Sequence, residues 1–233
     1  MQRIFHTPEG VRDIYSQECS RKQKLQEKLH RVFHQYGFED IETPTFEYFE
    51  VFSKEVGTIP SRELYKFFDR EGNTLVLRPD FTPSVSRACA TYFNPEKEVV
   101  SLCYTGNTFI NNSSFRGRLK ETTQMGVERM GDDSPEADAE ILAMTVECLL
   151  ATGLTEFQVS VGQVDYYKAI FAQTGMSQEE EEELRELISQ KNYFGVEELV
   201  KNKNMDKSLA RVLSQLPQMF GSTEVLEKAK SLT

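Results

Sequence analysis

The feature that most constrains the fold is an alternating stretch from Leu119 to Met130. Successive side chains of a β-strand point to opposite faces, so alternation over this length predicts one long strand. One face would carry an amide at Gln124, a bare backbone at Gly126 and a carboxylate at Glu128. At about 3.3 Å rise per residue, Gln124 and Glu128 lie roughly 13 Å apart. The same face also carries Lys120, Thr122 and Met130.

This strand face has two interpretations. An amide and a carboxylate on either side of a glycine suit a small ligand with several N–H donors, because Gly126 leaves a gap in which a ligand can approach the backbone. The alternative is an ordinary strand with one solvated face. The residues of this segment alone favour neither interpretation.

The segment from Tyr104 to Gly131 resembles motif 2 of class II aminoacyl-tRNA synthetases. The form is that of histidyl-tRNA synthetases and of a non-catalytic paralogous family, the regulatory subunits of ATP phosphoribosyltransferase. In the synthetases, an arginine after Gly-x-x-Phe holds the α-phosphate of ATP, and a glutamate follows two residues later. Ile110 and Asn112 occupy these positions here. Losing one such donor typically costs about 3–4 kcal/mol of transition-state stabilisation. The resemblance therefore implies a retained amino-acid pocket beside a nucleotide pocket that has lost its charge.

A second resemblance covers residues 77–82, Leu-Arg-Pro-Asp-Phe-Thr. Histidyl-tRNA synthetases have Leu-x-Pro-Glu-Gly-Thr here, which implies that Asp80 and Thr82 contact the amino group of an amino-acid ligand. The Asp-Phe version is more similar to the regulatory family. Thr82 also fits the N-cap of a helix that starts near Pro83. With Gln124 and Glu128, Asp80 and Thr82 form the predicted histidine-binding set, and no catalytic residue is predicted.

Composition and charge narrow the functional class. The 39% apolar and 27% charged fractions are those of an ordinary globular protein. No apolar run approaches the ~20 residues of a membrane span, and the first residues lack a secretion signal, so we expect a cytoplasmic protein. The net charge of 27 − 37 = −10 works against a broad footprint for tRNA. A local basic cluster at Arg116, Arg118 and Lys120 fits either contact with an anionic ligand or a solvated turn.

The patterns for metal binding and disulfides are weak. The cysteines are scattered without a C-x-x-C pair, which is typical of reduced thiols. They are Cys19, Cys89, Cys103 and Cys148. His30 and His34 are four residues apart on a predicted helix, a spacing that could chelate a metal. The pattern places no acidic or cysteine partner beside them, so we predict neither a metal site nor a cofactor.

The remaining pattern predicts the α+β fold that the resemblance implies, a class II synthetase-like, mainly antiparallel sheet flanked by helices. An amphipathic helix over Ser16–Tyr36 and a strand that ends at Pro44 resemble motif 1 of the synthetases. This motif builds the dimer interface in the family, which implies a self-dimer through the first helix and strand. Alternating apolar residues also predict a strand over Glu156–Val161.

The amino-acid composition of the chain changes near residue 164. Ala, Leu, Glu and Lys dominate after this point, which predicts about three to five short helices. We therefore expect two domains: an incomplete class II synthetase-like core over residues 1–163 and a C-terminal helical segment over residues 164–233.

Relative to the family, the sequence ends before motif 3 and the anticodon-binding domain, so we expect a fragment or a naturally short member without adenylation activity. The resemblance implies a non-catalytic regulatory subunit of ATP phosphoribosyltransferase in the first step of histidine biosynthesis. Its expected partners are a short-form catalytic subunit and histidine, the feedback signal. The alternatives are a fragment or degenerate relative of a histidyl-tRNA synthetase, or an assembly scaffold that binds no ligand.

Overall fold

The computed structural model describes five stretches of the chain: residues 5–53, 59–112, 117–162, 164–203 and 206–231. The chain divides into two compact units, Met1–Gln158 and Val159–Thr233. The domain boundary predicted between residues 163 and 164 remains a prediction. Within the five stretches, no helix combines the length and the hydropathy that crossing a membrane requires.

The first unit contains helices and short to medium strands. Its helices within the described stretches are α1 (Ser16–Gln35), α2 (Glu50–Ser53), α3 (Thr82–Tyr92) and α4 (Pro135–Thr152). Its strands are β1 (Glu39–Asp40), β2 (Phe46–Tyr48), β3 (Lys66–Phe68), β4 (Thr74–Leu77), β5 (Val100–Phe109) and β6 (Glu121–Met130). The strands form two sheets, of order β1-β5-β6 and β2-β4-β3.

The long strand predicted over Leu119–Met130 is confirmed as β6. It pairs with β5 in an unbroken antiparallel ladder, in which Tyr104 lies opposite Gly126 and Gly106 lies opposite Gln124. β1 runs parallel to β5 on its other edge. The second sheet is antiparallel throughout. The predicted α+β class with mainly antiparallel pairing is therefore confirmed.

Helices pack on both faces of the main sheet and bury the central residues of β5 from both sides. Leu102 and Tyr104 pack against α3 on one face. Cys103, which points the other way, packs against α1 and α4. This alternation follows from the two-residue period of a strand. It places the start of α3 directly over β5 and β6, where the predicted ligand residues lie.

Local sequence sets the ends of the flanking helices. The Ser134 side chain accepts a hydrogen bond from the Ala137 N–H at the start of α4, as an N-cap does. α4 ends at Thr152, and the next residue, Gly153, has a φ of +96°, the left-handed conformation common after a helix. Gly37, with φ +79°, follows α1 in the same way. The helix predicted over Ser16–Tyr36 is confirmed to within one residue.

The strand predicted over Glu156–Val161 is wrong. These residues form no β-structure, and they pair with none of the strands in the part of the chain that the structure describes. Phe157 and Val161 are accordingly 38% and 72% exposed. Alternation marks a side-chain pattern, whereas a strand also needs a neighbour for its backbone N–H and C=O groups.

The second unit is helical over its described stretches. Its helices are α5 (Val164–Phe171), α6 (Gln178–Ser189), α7 (Tyr193–Asn202), α8 (Lys207–Gln215) and α9 (Glu224–Lys230). The prediction of three to five short helices is therefore confirmed. Ser177 and Glu180 form a reciprocal capping box at the start of α6. Leu184, Val196 and Leu213 are completely buried at the centre of the unit.

Candidate functional site

Three of the four predicted ligand residues meet where the start of α3 packs against β6. The Thr82 hydroxyl donates a hydrogen bond to Glu128 Oε1 at 2.6 Å. The Asp80 carboxylate accepts the N–H groups of Phe81 at 2.6 Å and of Thr82 at 3.4 Å. Asp80 therefore fixes the backbone just before α3, and the N-cap interpretation of Thr82 is wrong, because the N-cap position is Phe81. This leaves the Thr82 hydroxyl to hold Glu128.

Gln124, the fourth residue, reaches this cluster through Tyr104. Gln124 Nε2 donates to the Tyr104 hydroxyl oxygen at 3.3 Å. The Tyr104 ring lies across Gly126, so a Cβ added to Gly126 would lie 2.6 Å from Tyr104 Cζ. The expected gap at Gly126 does not exist, because a buried aromatic ring fills it. The glycine makes room for the phenol of its cross-strand neighbour.

A stack of three side chains, Arg78, Phe81 and Tyr104, supports the site from the side of α3. The rings of Phe81 and Tyr104 are nearly parallel, with centroids 4.3 Å apart. The guanidinium carbon of Arg78 lies 4.0 Å from the centre of the Phe81 ring. Gly106 makes this stack possible, since a Cβ there would lie 2.7 Å from Phe81 Cζ.

Backbone carbonyl groups hold the guanidinium of Arg78. Its Nε donates to Asn107 O and its Nη1 donates to Thr43 O, both at 2.8 Å. Nη1 also lies 3.3 Å from Pro44 O. The side chain is buried, and burial lowers the pKa of Arg78 from its ordinary value. Arg78 is thus a structural cation that ties the loop before β2 to β5.

The sequence pattern did not single out Arg78, Phe81 or Tyr104 as parts of the site. Tyr104 and Phe81 resemble ordinary core residues in sequence, and both are buried. Their role depends on the register that sets Tyr104 opposite Gly126. The pair of glycines on neighbouring strands, Gly106 and Gly126, is the signal that could have indicated side chains lying across the sheet.

The site is electrostatically unusual. Burial raises the pKa of Glu128, and the charge of Asp80 raises it further, while hydrogen bonds from Thr82 and Tyr104 oppose the shift. Burial likewise raises the pKa of Tyr104, and the nearby carboxylates add to this effect. The ion pairs among the described residues include neither Asp80 nor Glu128. Two carboxylates therefore face this site, and its geometry favours a positively charged ligand.

Replacement of Glu128 with glutamine is expected to raise the free energy of unfolding at neutral pH without ligand. The raised pKa of Glu128 means that the folded state holds this proton more tightly than the unfolded state. The stabilisation from that proton is complete below the ordinary glutamate pKa and is lost as the pH rises through the folded pKa. The advantage of Glu128→Gln should therefore shrink in acid.

Denaturant unfolding of the wild type and Glu128→Gln at neutral and acidic pH measures this difference. Glu71→Gln, in the exposed turn between β3 and β4, is the matched control and should change little at either pH. A Glu128→Gln variant that is less stable than the wild type at neutral pH contradicts the electrostatic interpretation of the site.

Comparisons with known proteins identify the family. The family profile described as histidyl-tRNA synthetase matches residues 10–233. The chain belongs to the histidyl-tRNA synthetase family. A solved structure from Bacillus halodurans C, described as an ATP phosphoribosyltransferase regulatory subunit/histidyl-tRNA synthetase, matches the whole chain with a TM-score of 0.86 and 31% identity. The chain covers 60% of that structure. The class II synthetase-like fold of this family is thereby confirmed.

Within the family, similar curated relatives are named ATP phosphoribosyltransferase regulatory subunit. The protein from Acetivibrio thermocellus is 41% identical over 226 residues, which are 97% of this chain and 54% of the relative. The protein from Ruminiclostridium cellulolyticum is 39% identical over the same length and the same shares of each chain. The chain thus spans about half the length of these relatives.

Ile110 occupies the position at which the family resemblance implies a phosphate-binding arginine. Ile110 follows the last residue of β5 and is half-buried, and its backbone N–H donates to Lys120 O at 2.9 Å. Asn112 donates from Nδ2 to Leu119 O at 3.4 Å, while its amide oxygen is buried and has no hydrogen-bond partner among the described residues. Neither side chain supplies a positive charge to a nucleotide.

The predicted anion-binding arginines remain a prediction. Arg116 lies outside the described residues, and Arg118 is exposed. The backbone of Lys120, in the same basic cluster, is tied to the N-terminal turn, where its N–H donates to Gly10 O at 2.7 Å. The Lys120 side chain lies close to the same turn, since a Cβ added to Gly10 would lie 2.6 Å from Lys120 Cγ.

Proposed function

We propose that this chain is the non-catalytic regulatory subunit, or a part of it, of ATP phosphoribosyltransferase. It would act in the first step of histidine biosynthesis and in the feedback control of that step by histidine. The observation that carries the proposal is an amino-acid-type site with two carboxylates in a chain that has Ile110, an uncharged residue, at the position implied to hold a phosphate. The names of the relatives support it, although the chain spans only about half of their length.

Histidine is the proposed ligand because its charges complement the site. Asp80 or Glu128 pairs with the ammonium group, and the other accepts an N–H of the ligand. The amide oxygen of Gln124 can accept a further N–H from the imidazole or the ammonium group. The negative charge of Glu128 is costly to bury alone, and a positively charged ligand offsets this cost. Binding of the ammonium group is therefore favourable at Glu128.

Tyr104 and the residues stacked on it hold these groups in place. The Tyr104 phenol is protonated at neutral pH, since burial raises its pKa further above the ordinary tyrosine value, and it can donate a hydrogen bond toward Glu128. The Thr82 hydroxyl donates to the same carboxylate. Donors fixed by a packed stack keep a ligand-binding carboxylate in one orientation, and this pre-organisation is what selective binding requires.

Adenylation is disfavoured by the placement of the positive charges. Ile110 cannot hold a phosphate, and the guanidinium of Arg78 is occupied by carbonyl groups of Thr43 and Asn107. Phosphoryl chemistry depends on positive groups aimed at the charge that develops in the transition state. We therefore propose that the chain binds an amino acid without activating it.

Regulation requires a partner. We propose a short-form catalytic subunit of ATP phosphoribosyltransferase, in a cytoplasmic hetero-oligomer in which this chain also pairs with a second copy through α1 and β1. Histidine must bind the active and the inhibited states of this assembly with unequal affinity, since a ligand with equal affinity for both shifts nothing. No part of this proposal requires tRNA.

Co-expression with a short-form catalytic subunit tests the proposed function. We expect the two chains to co-purify, the catalytic subunit to gain phosphoribosyltransferase activity, and histidine to inhibit that activity. The same preparation should form no histidyl-adenylate from ATP and histidine. Chains that neither co-purify nor show a gain of activity contradict the regulatory role. Co-purification and activation without any response to histidine favours the scaffold alternative.

A further inference from the structure

A cluster of four metal-ligating side chains lies on the face of the main sheet opposite the amino-acid site. His30 and His34 of α1, Asp40 of β1 and Cys103 of β5 place one ligand atom each within 4.8 Å of one another. The sequence pattern shows no acidic or cysteine partner for His30 and His34, and for that reason no metal site was predicted there. The fold supplies both kinds of partner from other elements.

The two histidines share the carboxylate of Asp40. His30 Nε2 lies 2.6 Å from Asp40 Oδ1, and His34 Nε2 lies 2.9 Å from Asp40 Oδ2. Their rings lie one turn apart on α1, with centroids 4.1 Å apart and planes inclined at 48°. Residues four apart on a helix project from one side, so the Nε2 atoms converge on the carboxylate from the same direction.

Cys103 closes the cluster from the interior. β1 and β5 run parallel with Asp40 beside Cys103, and the Cys103 thiol lies 3.5 Å from Asp40 Oδ1. Cys103 is completely buried, whereas the His34 and Asp40 side chains are 46% and 56% exposed. The sulfur therefore faces the polar cluster from an apolar wall, and the opposite side is open to an entering ion.

We propose that His30, His34, Asp40 and Cys103 bind a zinc-type divalent cation. On binding, the Cys103 thiol would release its proton to solvent and ligate as a thiolate. Two imidazoles, a thiolate and a carboxylate are ligands that Zn²⁺ accepts in tetrahedral sites, and the sulfur disfavours Mg²⁺ and Ca²⁺. Tetrahedral ligands at about 2.0–2.3 Å from the metal lie roughly 3.3–3.8 Å from one another. Side-chain adjustments of about 1 Å bring atoms that now lie within 4.8 Å to that spacing.

The site would join three elements of the first unit. α1 carries two ligands, β1 carries the third and β5 the fourth, and the register between β1 and β5 fixes the last two. A cation bound here would connect the end of α1 to the main sheet. Metal binding would therefore stabilise the folded chain and raise its melting temperature as the metal concentration increases.

Titration of the full, untagged chain with Co²⁺ tests the proposal. We expect saturation at one ion per chain, a thiolate-to-cobalt charge-transfer absorption, visible bands of tetrahedral cobalt, and loss of these bands when Zn²⁺ is added. Cys103→Ser should remove the charge-transfer absorption. His34→Gln should weaken binding by at least about tenfold. Cys89→Ser, at another buried thiol, and His6→Gln, at a histidine outside the cluster, should leave the spectrum unchanged.

Asp40→Asn provides a second variant if Cys103→Ser does not fold, because the Asp40 side chain is half exposed and its exchange leaves the apolar core intact. This variant should also weaken binding and should lose the metal-dependent rise in melting temperature. Absence of the charge-transfer absorption in the wild type overturns the proposal. Equal binding by the wild type and the folded variants overturns it as well, since the metal then lies elsewhere.

Discussion

Replacing Phe81 with alanine is expected to lower the free energy of unfolding by about 3–5 kcal/mol, the range for truncation of a large buried aromatic side chain. Phe81 is 1% exposed and lies between the Arg78 guanidinium and the Tyr104 ring. Its removal leaves a cavity between α3 and β5 and takes away the surface on which Arg78 stacks. Equilibrium unfolding in denaturant measures the loss.

Phe68→Ala is the matched control for this prediction. Phe68 lies on β3 and is 73% exposed, so its truncation should change the unfolding free energy by less than about 0.5 kcal/mol. If Phe81→Ala is no more destabilising than Phe68→Ala, the stack of Arg78, Phe81 and Tyr104 does not support the site.

The second large effect concerns the response to histidine. A complex that carries Glu128→Gln is expected to need about 10- to 100-fold more histidine for half-inhibition, since a hydrogen bond to a charged group contributes about 1.5–3 kcal/mol. Glutamine keeps the shape of the side chain and still accepts the Thr82 hydroxyl, so the change removes mainly the negative charge. Inhibition curves of the reconstituted phosphoribosyltransferase measure the shift.

Glu121→Gln is the control on the same strand. Glu121 lies an odd number of residues from Glu128 on β6 and therefore points to the opposite face of the sheet. It accepts a hydrogen bond from Asn107 Nδ2 at 2.7 Å and takes no part in the site. The control complex should keep the wild-type inhibition curve. Equal curves for Glu128→Gln and the wild type would show that histidine acts at another site.

Local sequence patterns predicted a strand correctly where a second segment of the chain pairs with it. The alternation over Leu119–Met130 corresponds to a strand because β5 runs alongside it. The alternation over Glu156–Val161 pairs with no strand among the described residues and forms no strand itself. The sequence determines which side chains alternate. A strand forms only when a second segment makes hydrogen bonds with its backbone N–H and C=O groups.

The candidate site was only partly predictable for a related reason. Asp80, Thr82, Gln124 and Glu128 were selected from motifs, and the structure brings them together through Tyr104. The stack of Arg78, Phe81 and Tyr104 depends on strand register, as does the pairing of Asp40 with Cys103 across 63 residues. Register is a property of two segments together and cannot be derived from one of them.

Calorimetric titration of histidine into the purified complex of this chain with a short-form catalytic subunit tests the proposed sensor most directly. We expect a saturable heat that corresponds to one histidine per chain. The heat should be strongly reduced with Glu128→Gln and unchanged with Glu121→Gln. No detectable heat up to millimolar histidine would contradict the proposal that these residues bind histidine.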